Sequence, residues 1–196
     1  MSSAEALPPG IRAPGPLSAT QRRIVGAAVD LFAEHGVGGT SLQMIADAVN
    51  VTKAAIYHQF RTKDDIVVAV AETELANLEA AVEAAEAEPS LERARALLVA
   101  RIVELAVAGR RMESTLLGDP VIIRFFAHHP PFRTVMVRLY RILMGERAGH
   151  DDLVPAAMLT AAIGGAVMHP IVADLDDETL RAQLEHLARR FLDMPD

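Results

Sequence analysis

Lys53, Ala54, Tyr57 and His58 fall on one side of a short helical pattern, and together they form a surface too polar and too small for a core. Such a helix suits a nucleic-acid groove: an ammonium, a phenolic O–H and an imidazole can meet phosphates or base edges, and small side chains let the backbone approach. Other chemistries lack their residues. The chain has no cysteine, which removes disulfides, thiolate metal sites and cysteine nucleophiles. No Ser-His-Asp spacing stands out, so an enzyme is not expected, and neither is a cofactor. The glycines at 36, 38 and 39 lack both the following lysine and the preceding strand of a phosphate loop. The adjacent pair His128, His129 is not a metal signature, because neighbouring helical residues point about 100° apart. The acidic pairs Asp64, Asp65 and Asp151, Asp152 stand where helices begin.

The polar face needs a scaffold, and its neighbours supply one. Leu42, Ile45, Ala46 and Val49 recur at helical spacing, Val51 fills the turn, and Ile56 and Phe60 continue the buried stripe. Ahead of them Ile24, Ala27, Ala28, Leu31 and Phe32 form one continuous apolar face, on a helix predicted from Ser18, with Gln21 at capping-box spacing, to His35. Thr40, with Gln43 three residues on, is expected to cap the second helix, about 42–49, and Thr52 the third, about 53–59.

Half of the 196 residues are hydrophobic (51%), and aromatic residues are scarce at 4%, which favours helices over sheets. The expected fold is all-α with about nine helices: a flexible tail over 1–17, a three-helix helix-turn-helix domain over 18–65, and a helical bundle over 66–196. A long helix should run from Lys63 to about Glu88, followed by helices over about 90–109 and 112–128, the latter with Gly118–Pro120 as a place to break. After an interruption at Pro130 and Pro131 another helix should run to about 146, followed by helices over 152–172 and 177–193, with Ser90 and Asp176 as caps. Arg12 in the tail and Arg22, Arg23 on the first helix are further candidates for the vicinity of phosphates.

The net charge of −7 lies entirely beyond residue 65, where 13 arginines face 20 acids, while 18–65 is neutral. The reading head and the acidic body are therefore electrostatically separate. No apolar run of membrane-spanning length is apparent, and no membrane partner is expected; the cytoplasm is the simplest address.

RRIVGAAVDLFAEHG (22–36) followed by GTSLQMIADAVNVTKAAIYHQFRTKDDIVVAV (39–70) resembles the TetR family of bacterial transcriptional regulators, over roughly residues 20–70. The resemblance implies an N-terminal helix-turn-helix on a C-terminal body that dimerises and holds a small effector, most often in a repressor. It assigns Thr40, Ser41, Thr52, Tyr57 and Lys63 to phosphates and Gln43, Lys53, Ala54, Ala55, His58 and Gln59 to bases. Elementary chemistry agrees: glutamine pairs with adenine, lysine reaches guanine, and alanine meets a thymine methyl.

In the body, Arg101, Met112, Phe125, Phe126, His129, Met136 and Tyr140 are expected to line a pocket for a largely apolar small molecule. Ala162 and Gly165, small enough for a close approach, and the stripe Leu180, Leu184, Leu187 and Phe191 are expected to form a homodimer interface. Two reading heads would then meet a palindromic site on double-stranded DNA. The alternative is a helical adaptor whose acidic body binds another protein, with DNA binding lost or secondary.

Overall fold

A computed structural model describes the backbone of residues 17–116, 120–145 and 153–194, and the side chains of these except 111–120, 123 and 153. Among the described residues there are nine α-helices and no strand. They are α1 (Ala19–Gly39), α2 (Leu42–Ala48), α3 (Lys53–Gln59), α4 (Lys63–Glu86), α5 (Leu91–Leu116), α6 (Pro120–His128), α7 (Pro130–Met144), α8 (Leu153–Val167) and α9 (Asp177–Phe191), with a 3₁₀ turn at Pro170–Val172. No described helix is long and apolar enough to cross a membrane. The proposed N-terminal tail with Arg12 lies outside the described residues.

Caps account for most of the helix starts. Ser18 and Gln21 form the expected capping box on α1, Thr52 caps α3, Ser90 accepts from the Arg93 N–H, and Asp176 caps α9. Gly36 breaks α1 with φ +75° and ψ 161°, backbone open essentially to glycine alone, and Val37–Gly39 add a last turn.

Three boundaries differ from the sequence expectation. The helix expected to end near Gly109 continues to Leu116 as α5, because a single glycine costs a helix only about 1 kcal/mol. Pro130 and Pro131 do separate two helices, but from inside the second: α6 ends at His128, and the prolines form the first turn of α7, where a missing N–H costs nothing. The helix expected to reach residue 172 stops at Val167, and the chain tightens into the 3₁₀ turn, capped by the His169 ring.

The chain divides into two compact units: the described residues up to Glu74 with Ser114–Pro130, and Leu75–Glu113 with Pro131 onward. In the first, Ile24, Ala28, Phe32, Ile45, Ala46, Ile56 and Phe60 are buried, joined by Ile66–Ala71 of α4. In the second, Val82, Leu98, Val103, Leu139, Leu143, Ile163, Leu180 and Leu184 belong to one core. Arg138 ties α7 to α4 there, gripping Glu86 through Nε (3.0 Å) and Nη2 (2.7 Å) and reaching Glu79 at 3.3 Å. That grip holds the Glu86 carboxyl below its ordinary range.

Candidate nucleic-acid interface

Three short helices position the predicted reading residues. α3 is too short at seven residues to persist alone, so its placement depends on tertiary contacts. Ile56 and Phe60 anchor it in the core with α1 and α2. Thr52 Oγ1 accepts from the Ala55 N–H at 3.2 Å, satisfying one of the free donors at the helix start. The turn before it passes through Asn50 at φ +53°, a left-handed position that asparagine tolerates, and Val51 N–H donates to the Ala46 carbonyl at 2.9 Å.

Two side chains of α1 clamp this arrangement. Arg23 Nη2 donates to the Val49 carbonyl at 3.1 Å, and Gln21 Nε2 to the Gln59 carbonyl at 3.4 Å. Both capture carbonyls at the ends of the short helices, where intrahelical partners run out. Arg23 therefore holds the turn; Arg22 bonds back to the Leu17 carbonyl on the exposed side.

The anchoring leaves Lys53, Ala54, Tyr57 and His58 exposed on α3, with Tyr57 49% accessible. Ala55 and Gln59 are half-buried, at the margin of that face. On α2, Gln43 is exposed, and its Nε2 donates to Asp47 Oδ1 at 2.8 Å. Asp47 was missed by the sequence reading, although its spacing of four residues from Gln43 is the signal for such a pair.

Ser41 takes over the capping role expected of Thr40. Ser41, not Thr40, caps α2: its Oγ accepts from the Met44 N–H at 3.2 Å, which leaves its own proton to donate. Thr40 is 2% exposed, and its hydroxyl donates inward to the Gly36 carbonyl at 2.8 Å, with the Leu31 carbonyl at 3.1 Å. Its hydroxyl is thus spent inside the fold and is not offered to a phosphate. Gln43 does not close a capping box, since its amide is turned to Asp47.

Lys63 sits at the first position of α4 and is half-buried. Its Nζ donates to the Val37 carbonyl at 2.6 Å and the Thr40 carbonyl at 3.1 Å. The ammonium places a positive charge on carbonyls that end α1, as a helix C-terminus favours. Two of its three donors are taken, and one is free for a phosphate.

The pattern of bacterial regulatory proteins of the tetR family matches residues 24–70. Over that stretch the chain is similar to the tetR family. The probable acrEF/envCD operon repressor of Escherichia coli strain K12 is 45% identical over 47 residues, 24% of this chain and 21% of that protein. The biofilm operon icaADBC negative transcriptional regulator IcaR of Staphylococcus aureus strain Newman is 43% identical over 44 residues, 22% of this chain and 24% of that protein. The matched stretch thus spans about a fifth to a quarter of the length of these relatives. The fold extends much further: the fatty acid degradation regulator FadR of Bacillus halodurans superposes with a TM-score of 0.75 at 17% identity, covering 91% of this chain and 97% of that one.

The remaining predicted residues scatter. Phe125, Phe126 and His129 belong to the first unit, and Arg101, Met112, Met136 and Tyr140 to the second. Phe125 is fully buried, and the His129 ring, 5% exposed, stacks on it with centroids 4.3 Å apart. Burial pushes the His129 pKa below that of an ordinary histidine, so the neutral ring is favoured. Arg101 is exposed and pairs with Glu104 at 2.7 Å, which makes it a surface residue of α5 instead of a pocket handle. Met136 and Tyr140 are half-buried on α7, and the Met112 side chain lies outside the described residues.

A groove of about 700 Å³ in the second unit is lined by Pro89, Leu91, Arg95, Arg138, Ile142 and Met144 among others. None of the seven residues predicted for the effector lines it. Of the predicted dimer residues, Leu180 (2% exposed) and Leu184 (7%) are core, contrary to expectation, because α9 turns them onto its own unit. Leu187 and Phe191 remain exposed at 56% and 47%, and so do Ala162 and Gly165 on α8. A side chain on Gly165 would meet nothing within 4 Å.

Proposed function

We propose that the chain is a DNA-binding transcriptional regulator that acts as a homodimer, reads a palindromic operator with α3, represses, and is released by a small, largely apolar effector. One observation carries this reading: α3 is staked to its unit by buried Ile56 while Lys53, Ala54, Tyr57 and His58 stay exposed. The likeness of residues 24–70 to the tetR-family pattern supports the same reading. Ser41, Thr52, Tyr57 and the free donor of Lys63 are the phosphate contacts in this proposal. Gln43, Lys53, Ala54 and His58 face the bases, with Ala55 and Gln59 at the edge.

The homodimer is supported by the open apolar faces of α8 and α9. Val154, Met158, Ala161, Ala162 and Gly165 follow helical spacing on α8 and are exposed, as are Leu187 and Phe191 on α9. A second copy of these faces would bury them by the two-fold rule that a palindromic site requires. The effector part rests on half-buried Met136 and Tyr140 of the second unit, side chains suited to an apolar lining with few polar handles. A hundredfold loss of DNA affinity needs about 2.7 kcal/mol of preference by the effector for the released state.

The deciding experiment titrates the protein against duplexes from its own upstream region, at stated salt, with an unrelated duplex as reference. Specific binding by a dimer is expected. Equal affinity for both duplexes would overturn the reading in favour of an adaptor.

A further inference from the structure

Gln43 and Asp47 stand one turn apart on α2, both exposed, joined by the Nε2 to Oδ1 hydrogen bond of 2.8 Å. A free glutamine amide can flip and exchange its donor and acceptor ends. A carboxylate only accepts, so Asp47 holds the NH₂ end and excludes the flipped form, in which two oxygens would face each other. Gln43 is then left with one N–H and with Oε1, a donor and an acceptor in fixed order. Adenine presents the matching acceptor and donor at N7 and N6 in the major groove, whereas guanine presents two acceptors, one of which would face Oε1.

We propose that Asp47 is a positioning residue for sequence recognition: it locks the Gln43 amide in the orientation that accepts adenine and rejects guanine. The inference rests on the DNA-binding reading above. It adds a second effect from the same carboxylate. An exposed negative charge on the reading side weakens attraction to any phosphate backbone, so Asp47 holds down binding to unrelated sequences while it sharpens binding to the right one.

The test selects binding sites from randomised duplexes with the full chain and with Asp47→Asn, Asp47→Ala and Gln43→Ala, each also followed through thermal unfolding. The unaltered protein is expected to prefer adenine at one position by roughly tenfold or more, the scale of one good bidentate pair. Gln43→Ala should erase that preference alone. Asp47→Asn nearly preserves shape but can donate or accept, so Gln43 is freed to flip; the preference at that position should fall below about threefold, and unrelated duplexes should bind more tightly. Should Asp47→Ala fail to fold, the near-isosteric asparagine variant carries the test.

Preference that survives both Asp47 variants overturns the proposal, even if the unfolding midpoint shifts, because a pair that only steadied the helix would do that. A preference untouched by Gln43→Ala overturns it too. If the unaltered protein selects no sequence at all, the DNA-binding reading itself falls and the proposal with it.

Discussion

α3 and α9 each expose one face, and the two faces follow opposite rules. On α3 the exposed side chains are polar or small, Lys53, Ala54, Tyr57 and His58, and water satisfies them until something better arrives. On α9 the exposed Leu187 and Phe191 gain nothing from water, and neither do the exposed Val154 and Met158 on α8. Exposed apolar side chains of that kind suit a lasting contact, whereas a polar face on a short, well-capped helix suits one that forms and breaks. In the proposed reading the head meets a reversible partner and the final helices a lasting one.

The sharpest test of this contrast lies within α9. Leu184→Ala, at a buried position, should lower unfolding stability by about 2–4 kcal/mol in chemical denaturation. Leu187→Glu, one turn away and exposed, should leave monomer folding nearly unchanged while converting the sedimenting species from dimer to monomer. If Leu187→Glu stayed dimeric, the apolar face would not be the lasting interface. On the head, Thr40→Val should cost about 1–2 kcal/mol, because the Gly36 and Leu31 carbonyls lose their donor, yet leave the salt dependence of DNA binding unchanged. Lys63→Ala should do both things at once: it should lower stability by about 1 kcal/mol and reduce the salt slope by about one unit.

A smaller effect is expected from pH. Burial lifts the Glu72 pKa to about 7 from an ordinary 4.5, so between these values the folded chain holds a proton that the unfolded chain has lost. Stability from this group is therefore fully present below about pH 4.5 and is lost as pH rises through 7, by on the order of 1 kcal/mol after solvent screening. Glu72→Gln should flatten the unfolding midpoint across that window. His129 has the opposite sign: its depressed pKa favours the neutral ring, and the stability linked to it is lost as pH falls through the ordinary histidine range.

Much of the head was legible because its signals are local. Capping residues act three positions away, an apolar stripe repeats within one helix, and glycine at a positive φ is a local steric fact; Ser18, Gly36, Thr52 and Asp176 followed those rules. Thr40 and Ser41 show where local rules stop. Both residue types can cap α2, and the choice fell to Ser41 because the Gly36 and Leu31 carbonyls, brought near by the kink in α1, claimed the Thr40 hydroxyl. Lys63 is similar: its ammonium serves carbonyls 26 and 23 positions earlier, a pairing that no periodicity announces.

By itself the sequence determined that the chain is helical, where most helices begin, which faces are apolar, and that a short polar-faced helix stands beside two packed ones. These are consequences of spacing and of single-residue preferences. Only the tertiary structure decided which apolar residues on one face are already used. Leu180 and Leu184 disappear into their own unit while Leu187 and Phe191 do not, because burial depends on what the rest of the chain places opposite, and a hydrophobic stripe looks the same whether its partner is internal or a second molecule.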